Sequence, residues 1–139
     1  MTQFEIVRVV ALDPSEAWAR LTRWERHGDY VPLTTIRRTD TGFLARTGIG
    51  RVGFDDPMEI EEWTEPAYCK LVKTGRFVTG WAELEVEPYD STEFRGGSRV
   101  VWREDITVRG VPRFASGLVR RSSEALFARV LDGVLSRPA

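Results

Sequence analysis

The chain has 139 residues, 42% of them hydrophobic and 29% charged, which is the size and composition of one folded domain and excludes a disordered chain. Its 20 basic and 21 acidic residues leave a formal net charge of -1, so there is no excess positive field to recruit a phosphate backbone, and nucleic acid is not an expected partner. Cys69 is the single cysteine, with no partner for an internal disulfide and no metal-ligand cluster beside it, which points to a reducing, cytoplasmic setting; no apolar run approaches the roughly 18 residues that span a bilayer, and no basic stretch leads into an apolar core at the N-terminus.

In chain order, residues 4–11 are rich in β-branched side chains and stop at Leu12-Asp13-Pro14, the pattern of a strand running into a helix start. Asp13 is the expected N-cap, Pro14 the first helical residue, and Glu16 the distal half of a capping box. This helix places Ala17, Trp18 and Leu21 on one side, and a second short helical or irregular piece follows over 24–30, closed by Pro32. From Leu33 the period becomes two. Strands are expected at 33–38 and 43–49, joined through Thr39-Asp40-Thr41-Gly42, and then at 58–64, 68–74, 79–87 and 98–108. They are broken by Glu65-Pro66, Gly75, a loop from Pro88 and Gly96-Gly97. Such short connections predict an antiparallel meander.

Alternation sets the facings. Ala82, Leu84 and Val86 point inward and Glu83, Glu85 and Glu87 outward; on the last strand Val100, Trp102, Ile106 and Val108 oppose Arg103, Asp105 and Arg109. Glu104 thereby falls on the apolar side. Residues 113–136 read as one long helix with a stripe of Val119, Leu126, Val130 and Val134, broadened by Phe114, Leu118 and Ala125 and interrupted by Ser122. Strands and helices are segregated along the chain, so the fold class is α+β, in one domain over residues 1–139.

This order, with Asp-Pro-Ser-Glu-Ala-Trp at 13–18, the segment 24–32, Met-Glu-Ile-Glu-Glu-Trp-Thr-Glu-Pro at 58–66 and Gly-Gly-Ser-Arg-Val-Val-Trp at 96–102, resembles the START-like superfamily, also called the helix-grip or SRPBCC fold. Its members include polyketide cyclase-like proteins, lipid-transfer domains and pollen-allergen-type carriers. The resemblance implies a curved antiparallel seven-stranded sheet gripping the C-terminal helix, with a cavity opening near the loops and short helices. Its motifs mark the fold and none is catalytic, and one scaffold of this kind serves many functions. A polyketide aromatase of this family would use a pocket arginine with tyrosine and tryptophan partners; alternation assigns no arginine of this chain to such a place.

Several motifs have simpler structural explanations. Gly48-Ile-Gly-Arg-Val-Gly53 matches the dinucleotide-binding string, but Phe-Asp-Asp-Pro follows where a helix is required, so a bent hairpin is expected and no nucleotide cofactor. His27, the only histidine, has no Ser and Asp spacing that singles out a triad. Asp55, Asp56, Glu59, Glu61 and Glu62 form the densest acidic patch, yet alternation divides them between two faces and no calcium-loop spacing is present, so no metal is expected. Arg120, Arg121, Arg129 and Arg137 on the last helix are read as complements of the helix dipole rather than as a membrane surface. Trp81 shares the phase of Glu83 and Glu85, on the outer face.

The leading expectation is a carrier for a hydrophobic small molecule, such as a lipid, fatty acid or aromatic polyketide-like metabolite. Its cavity is expected to be lined by Ile60, Leu71, Ala82, Leu84, Trp102, Leu118 and Ser122, with Tyr30 at the mouth. Glu104 or Glu62 supplies polarity, and Lys73, in the alternation of Cys69 and Leu71, pairs with one of these glutamates. The alternative is a cyclase, dehydratase or hydrolase with Glu104 as acid or base, working without metal or nucleotide; a bulge that turned Glu104 to solvent would remove that role. A protein-interaction module, as monomer or homodimer, is the third reading.

Overall fold

The computed structural model describes residues 2–93 and 95–139. The elements are β1 (Thr2–Val10), α1 (Pro14–Leu21), α2 (Trp24–His27), a 3-10 turn (Gly28–Tyr30), β2 (Thr34–Arg38), β3 (Gly42–Ile49), β4 (Val52–Thr64), β5 (Tyr68–Thr74), β6 (Val78–Tyr89), β7 (Gly97–Val108), a second 3-10 turn (Arg113–Ala115) and α3 (Ser116–Leu135). All seven strands form one antiparallel sheet in the order β1-β7-β6-β5-β4-β3-β2, curled around the 20-residue helix α3.

Local chemistry places the first helix where the sequence puts it. Asp13 accepts a hydrogen bond from the Glu16 amide at 2.9 Å, and Pro14 opens the helix. The capping box is only half made, because the Glu16 carboxylate turns along the helix to Arg20 at 2.8 Å. Ala17, Trp18 and Leu21 are buried as the helical spacing requires.

Two features of β4 depart from expectation. It begins at Val52 and runs through Pro57. Ile60 donates to Thr41 on the β3 side, so by alternation the nitrogen of Pro57 faces β5, where pairing begins only at Met58; the missing N–H interrupts no ladder bond. Further on, Ile60 pairs with Leu71 but Glu62 pairs with Lys70, which makes Glu61 the extra residue of a bulge. Every facing beyond it reverses. Glu62 therefore turns outward, correcting the inward position expected for it, and Trp63 turns inward to meet the edge of Trp18 at 5.1 Å.

The glycine-rich string is the β3–β4 hairpin. Gly48 and Gly53 face each other, and a Cβ on Gly48, whose φ is 149°, would lie 2.2 Å from the Val52 carbonyl oxygen. The core gathers on the concave face, where Trp18, Leu21, Leu84, Val86 and Val100 pack with Val130, Leu131 and Val134 of α3. Outside, Arg103 bridges Glu5 at 2.8 Å and Glu85 at 2.9 Å across three strands, and Trp81 is half-buried beneath Lys70, whose ammonium lies 5.9 Å from the ring centroid.

Candidate functional site

Between the concave face and α3 lies a cavity of about 330 Å3, near the lower end of the roughly 300–1,000 Å3 usual for ligand pockets. Two aromatic stacks brace its walls: Trp24 on Phe43 at 4.8 Å, and Trp102 on Phe127 of α3 at 4.9 Å. Leu71 and Ala45 complete much of the apolar lining. The lining runs out to Thr34, Thr47, Phe54, Val78 and Val108, at the end of the sheet that carries the β3–β4 and β5–β6 turns; these residues form the mouth.

One charged group lies inside this apolar wall. Lys73 is buried and its Nζ sits 2.8 Å from Asp56 Oδ2 and 3.6 Å from Met58 Sδ. Glu104, 2% exposed, accepts a hydrogen bond from Trp102 Nε1 at 3.2 Å. The strand between β5 and β7 makes room for both. Lys73 pairs with Gly80 and Leu71 with Ala82, and Ala82 in turn pairs with Glu104, so only small side chains of β6 separate the ammonium from the carboxyl.

Burial pushes the Glu104 carboxyl above the ordinary carboxylate range, with the nearby Lys73 charge and the Trp102 bond pulling the other way. The arrangement is an ion pair beside a carboxyl whose pKa burial raises. Asp56 Oδ1 is buried with no hydrogen-bond partner, an unmet acceptor next to the pair. His27 also lines the cavity, with its Nε2 2.7 Å from the Leu21 carbonyl; burial lowers its pKa to about 4, so near neutrality it is uncharged and donates that bond from Nε2.

Of the residues proposed from the sequence, Leu71, Lys73, Trp102 and Glu104 meet in the cavity wall. Ala82 and Leu84 lie on the same face but in the packed core. Ile60 shares that face by register with Leu71, yet it is 38% exposed and outside the lining. Lys73 pairs with Asp56 and not with a glutamate, because β4 extends back through Pro57 and brings Asp56 into the phase of Met58. Tyr30 is not at the mouth: its ring lies against Gly133 of α3, where a Cβ would come within 2.3 Å. Leu118 is 69% exposed and Ser122 is exposed as well; Ser123, one residue on, faces the cavity. The stripe of Leu126, Val130 and Val134 faces inward as expected, but it is broadened by Ser123, Phe127 and Leu131 and not by Leu118, Ser122 and Ala125.

Asp56, Phe43 and Phe127 were missed. The signal for Asp56 was there in the spacing back from Met58, but Pro57 reads as a strand stop in sequence. Asp55 faces the other way and pairs with Arg46 at 3.2 Å. Among the described residues, no group of three or more His, Cys, Asp or Glu side chains is placed to hold a metal ion. No described helix is long and apolar enough to cross a membrane.

No protein-family model and no curated protein matches the chain in sequence. Solved structures do match in shape. A START superfamily protein from Mycobacterium smegmatis superposes with a TM-score of 0.72 at 11% identity, over 98% of each chain. The Zhui aromatase/cyclase from Streptomyces sp. R1128 gives 0.62 at 18% identity, over 96% of this chain and 91% of that one. The di-domain ARO/CYC StfQ from the steffimycin biosynthetic pathway gives 0.71 at 13% identity, over 97% of this chain and 49% of that one. At these identities the likeness shows the fold alone: the chain has the helix-grip architecture of these START-like structures.

Proposed function

We propose that the protein binds one compact, mostly apolar small molecule in the cavity between sheet and α3 and carries it without chemical change. The observation behind this reading is the enclosure of one charged cluster, Lys73 with Asp56 and Glu104, in a wall whose main surfaces are Trp24, Phe43, Leu71, Trp102 and Phe127. A pocket of this kind takes an apolar body and orients it by one polar end. The Lys73 ammonium donates to an oxygen of that end, beside the Glu104 carboxyl, whose pKa burial raises. The volume favours a compact ring system or short acyl chain over a long lipid. The same reading sets the protein in the cytoplasm, with Cys69 buried and free and its thiol pushed up to about 12 by burial, inert to oxidation.

The test fills the cavity. Ala45 is buried in the wall, so Ala45→Phe occupies the space that a ligand needs. Native mass spectrometry of the wild type, purified gently from its own host, is expected to show a small molecule that is released on denaturation, and Ala45→Phe is expected to lack it at an unchanged fold. A wild type that never yields a bound molecule, and that binds no member of an apolar metabolite library by calorimetry, sinks the reading.

A second reading, favoured by the buried Glu104 with its raised pKa, is a cyclase or dehydratase in which that carboxyl acts as general acid. It has the added support that two of the similar structures are aromatase/cyclases. In that case Glu104→Gln retains ligand and loses turnover.

A further inference from the structure

The end of the sheet around the cavity mouth carries most of the exposed large apolar side chains and an uncompensated set of arginines. Ile49 and Val52, the latter 80% exposed, flank the β3–β4 turn; Phe77 lies in the β5–β6 turn; Val111 leads out of β7; Phe114, 91% exposed, and Leu118 stand at the start of α3. These segments adjoin one another. Gly48 donates to the Leu33 carbonyl, Phe54 and Phe77 have ring centroids 6.0 Å apart, and Arg109 donates its amide to the Phe77 carbonyl at 2.7 Å. A shallow groove lined by Val108, Val111, Pro112 and Val119 joins the end of β7 to α3.

Arg51, Arg76, Arg109, Arg113 and Arg121 are exposed in or beside the same segments. Among the described residues, none of these five has a carboxylate within ion-pair distance; Arg23, Arg26, Arg37, Arg95 and Arg129 are likewise without one, but they are divided among the short helices, β2, the β6–β7 loop and the middle of α3. Three carboxylates of neighbouring segments are held by other cations, Asp55 by Arg46, Asp56 by Lys73 and Glu124 by Arg120. A chain of net charge -1 thus has a strongly cationic end. The earlier reading of Arg120 and Arg121 as dipole complements does not account for this, because both lie in the first two turns of α3, where the dipole disfavours cations.

We propose that this end docks on an anionic lipid bilayer, the apolar side chains entering the headgroup boundary and the arginines meeting lipid phosphates. A second copy of the chain is disfavoured as occupant, since two such rims bring their uncompensated cations face to face. A bilayer fits better than a folded acidic partner: the apolar groups project from separate turns, and they lie at the end of the sheet where Phe54, Val78 and Val108 line the cavity. Docking itself stands apart from the carrier reading, which supplies only its use, the passage of an apolar molecule between membrane and cavity.

The experiment is sedimentation with vesicles of phosphatidylglycerol and phosphatidylcholine, and with phosphatidylcholine alone. The wild type is expected to partition onto the anionic vesicles only, and less as salt rises. Arg51→Gln/Arg76→Gln/Arg109→Gln is expected to lose about 100-fold in partitioning, each cation contributing about fivefold. Phe77→Ser/Phe114→Ser is expected to lose binding too, while Arg37→Gln/Arg38→Gln/Arg99→Gln keeps it; circular dichroism verifies folding of each. Equal partitioning of the wild type and the first triple variant overturns the proposal, as does no partitioning at low salt. Self-association of the wild type that the triple variant abolishes assigns the face to a second copy and also overturns it. Ala45→Phe is expected to dock like the wild type, so failure of the cavity and failure of docking are read separately.

Discussion

At the scale of single residues, Glu104 and His27 are buried groups whose pKa values the fold moves in opposite directions, Glu104 up and His27 down. Glu104 has a raised pKa in the native state, so its contribution is full below the ordinary carboxylate pKa and is lost as pH rises through the folded value. Glu104→Gln keeps the acceptor for Trp102 and removes that loss; it is expected to melt at the same temperature as the wild type or higher at pH 7, in a thermal scan. A lower melting temperature, by several degrees, would mean that the carboxylate is charged and held by Lys73. Glu104 was legible as an anomaly because a single glutamate stood in an unbroken apolar phase. Its neighbours Lys73 and Asp56 were not legible as a pair, because they lie on different strands and no local pattern relates them.

At the scale of elements, the bulge in β4 decides more than any single side chain. With Glu61 as the extra residue, Glu62 faces solvent and Trp63 packs on Trp18. Deleting Glu61 removes the extra residue and leaves Glu62 opposite Lys70 and Trp63 opposite Cys69, so strict alternation then keeps Trp63 against Trp18 at the loss of an exposed pair with Lys70 at 3.5 Å, whereas Trp63→Ala removes the aromatic contact itself. Trp63→Ala is expected to cost about 2–3 kcal/mol by urea denaturation, from loss of the aromatic contact and the buried area; the deletion is expected to cost less than about 1 kcal/mol. A deletion as costly as Trp63→Ala would show that the bulge itself holds Trp63 in place. Two adjacent carboxylates between Ile60 and Trp63 were a visible break in the pattern, but a break alone does not say which side of it keeps the phase. Helix α3 presents the same difficulty at a different period: Ser122 and Ser123 are both plausible on an apolar stripe, and the packing of Phe127 on Trp102 selects Ser123.

At the scale of the whole molecule, stability should follow pH through His27. Its pKa falls from 6.5 to about 4 on burial, so below pH 6.5 the unfolded chain takes up a proton that the native state refuses. Stability is expected to decline as pH drops from about 6.5 to 4, by about 3 kcal/mol in all. His27→Gln, which keeps a donor for the Leu21 carbonyl, should flatten this part of the profile; a wild-type curve with no slope there would show that His27 charges within the fold. The distribution of charge belongs to this scale as well. Arginines far apart in sequence, on the β3–β4 and β5–β6 turns and after β7, meet only because three strand ends share one edge of the half-barrel.

The sequence by itself determined the class and order of elements, the caps and turns that bound them, and the inward phase of β5, β6 and β7. Those features depend on contacts within a few residues: the Asp13 cap, the two-residue period, and the glycines of the β3–β4 hairpin. The tertiary structure decided which polar groups share the cavity, where alternation is broken, and how α3 is rotated over the sheet. Each of these turns on the pairing of residues distant in the chain, where a shift of one position exchanges the buried face for the exposed one.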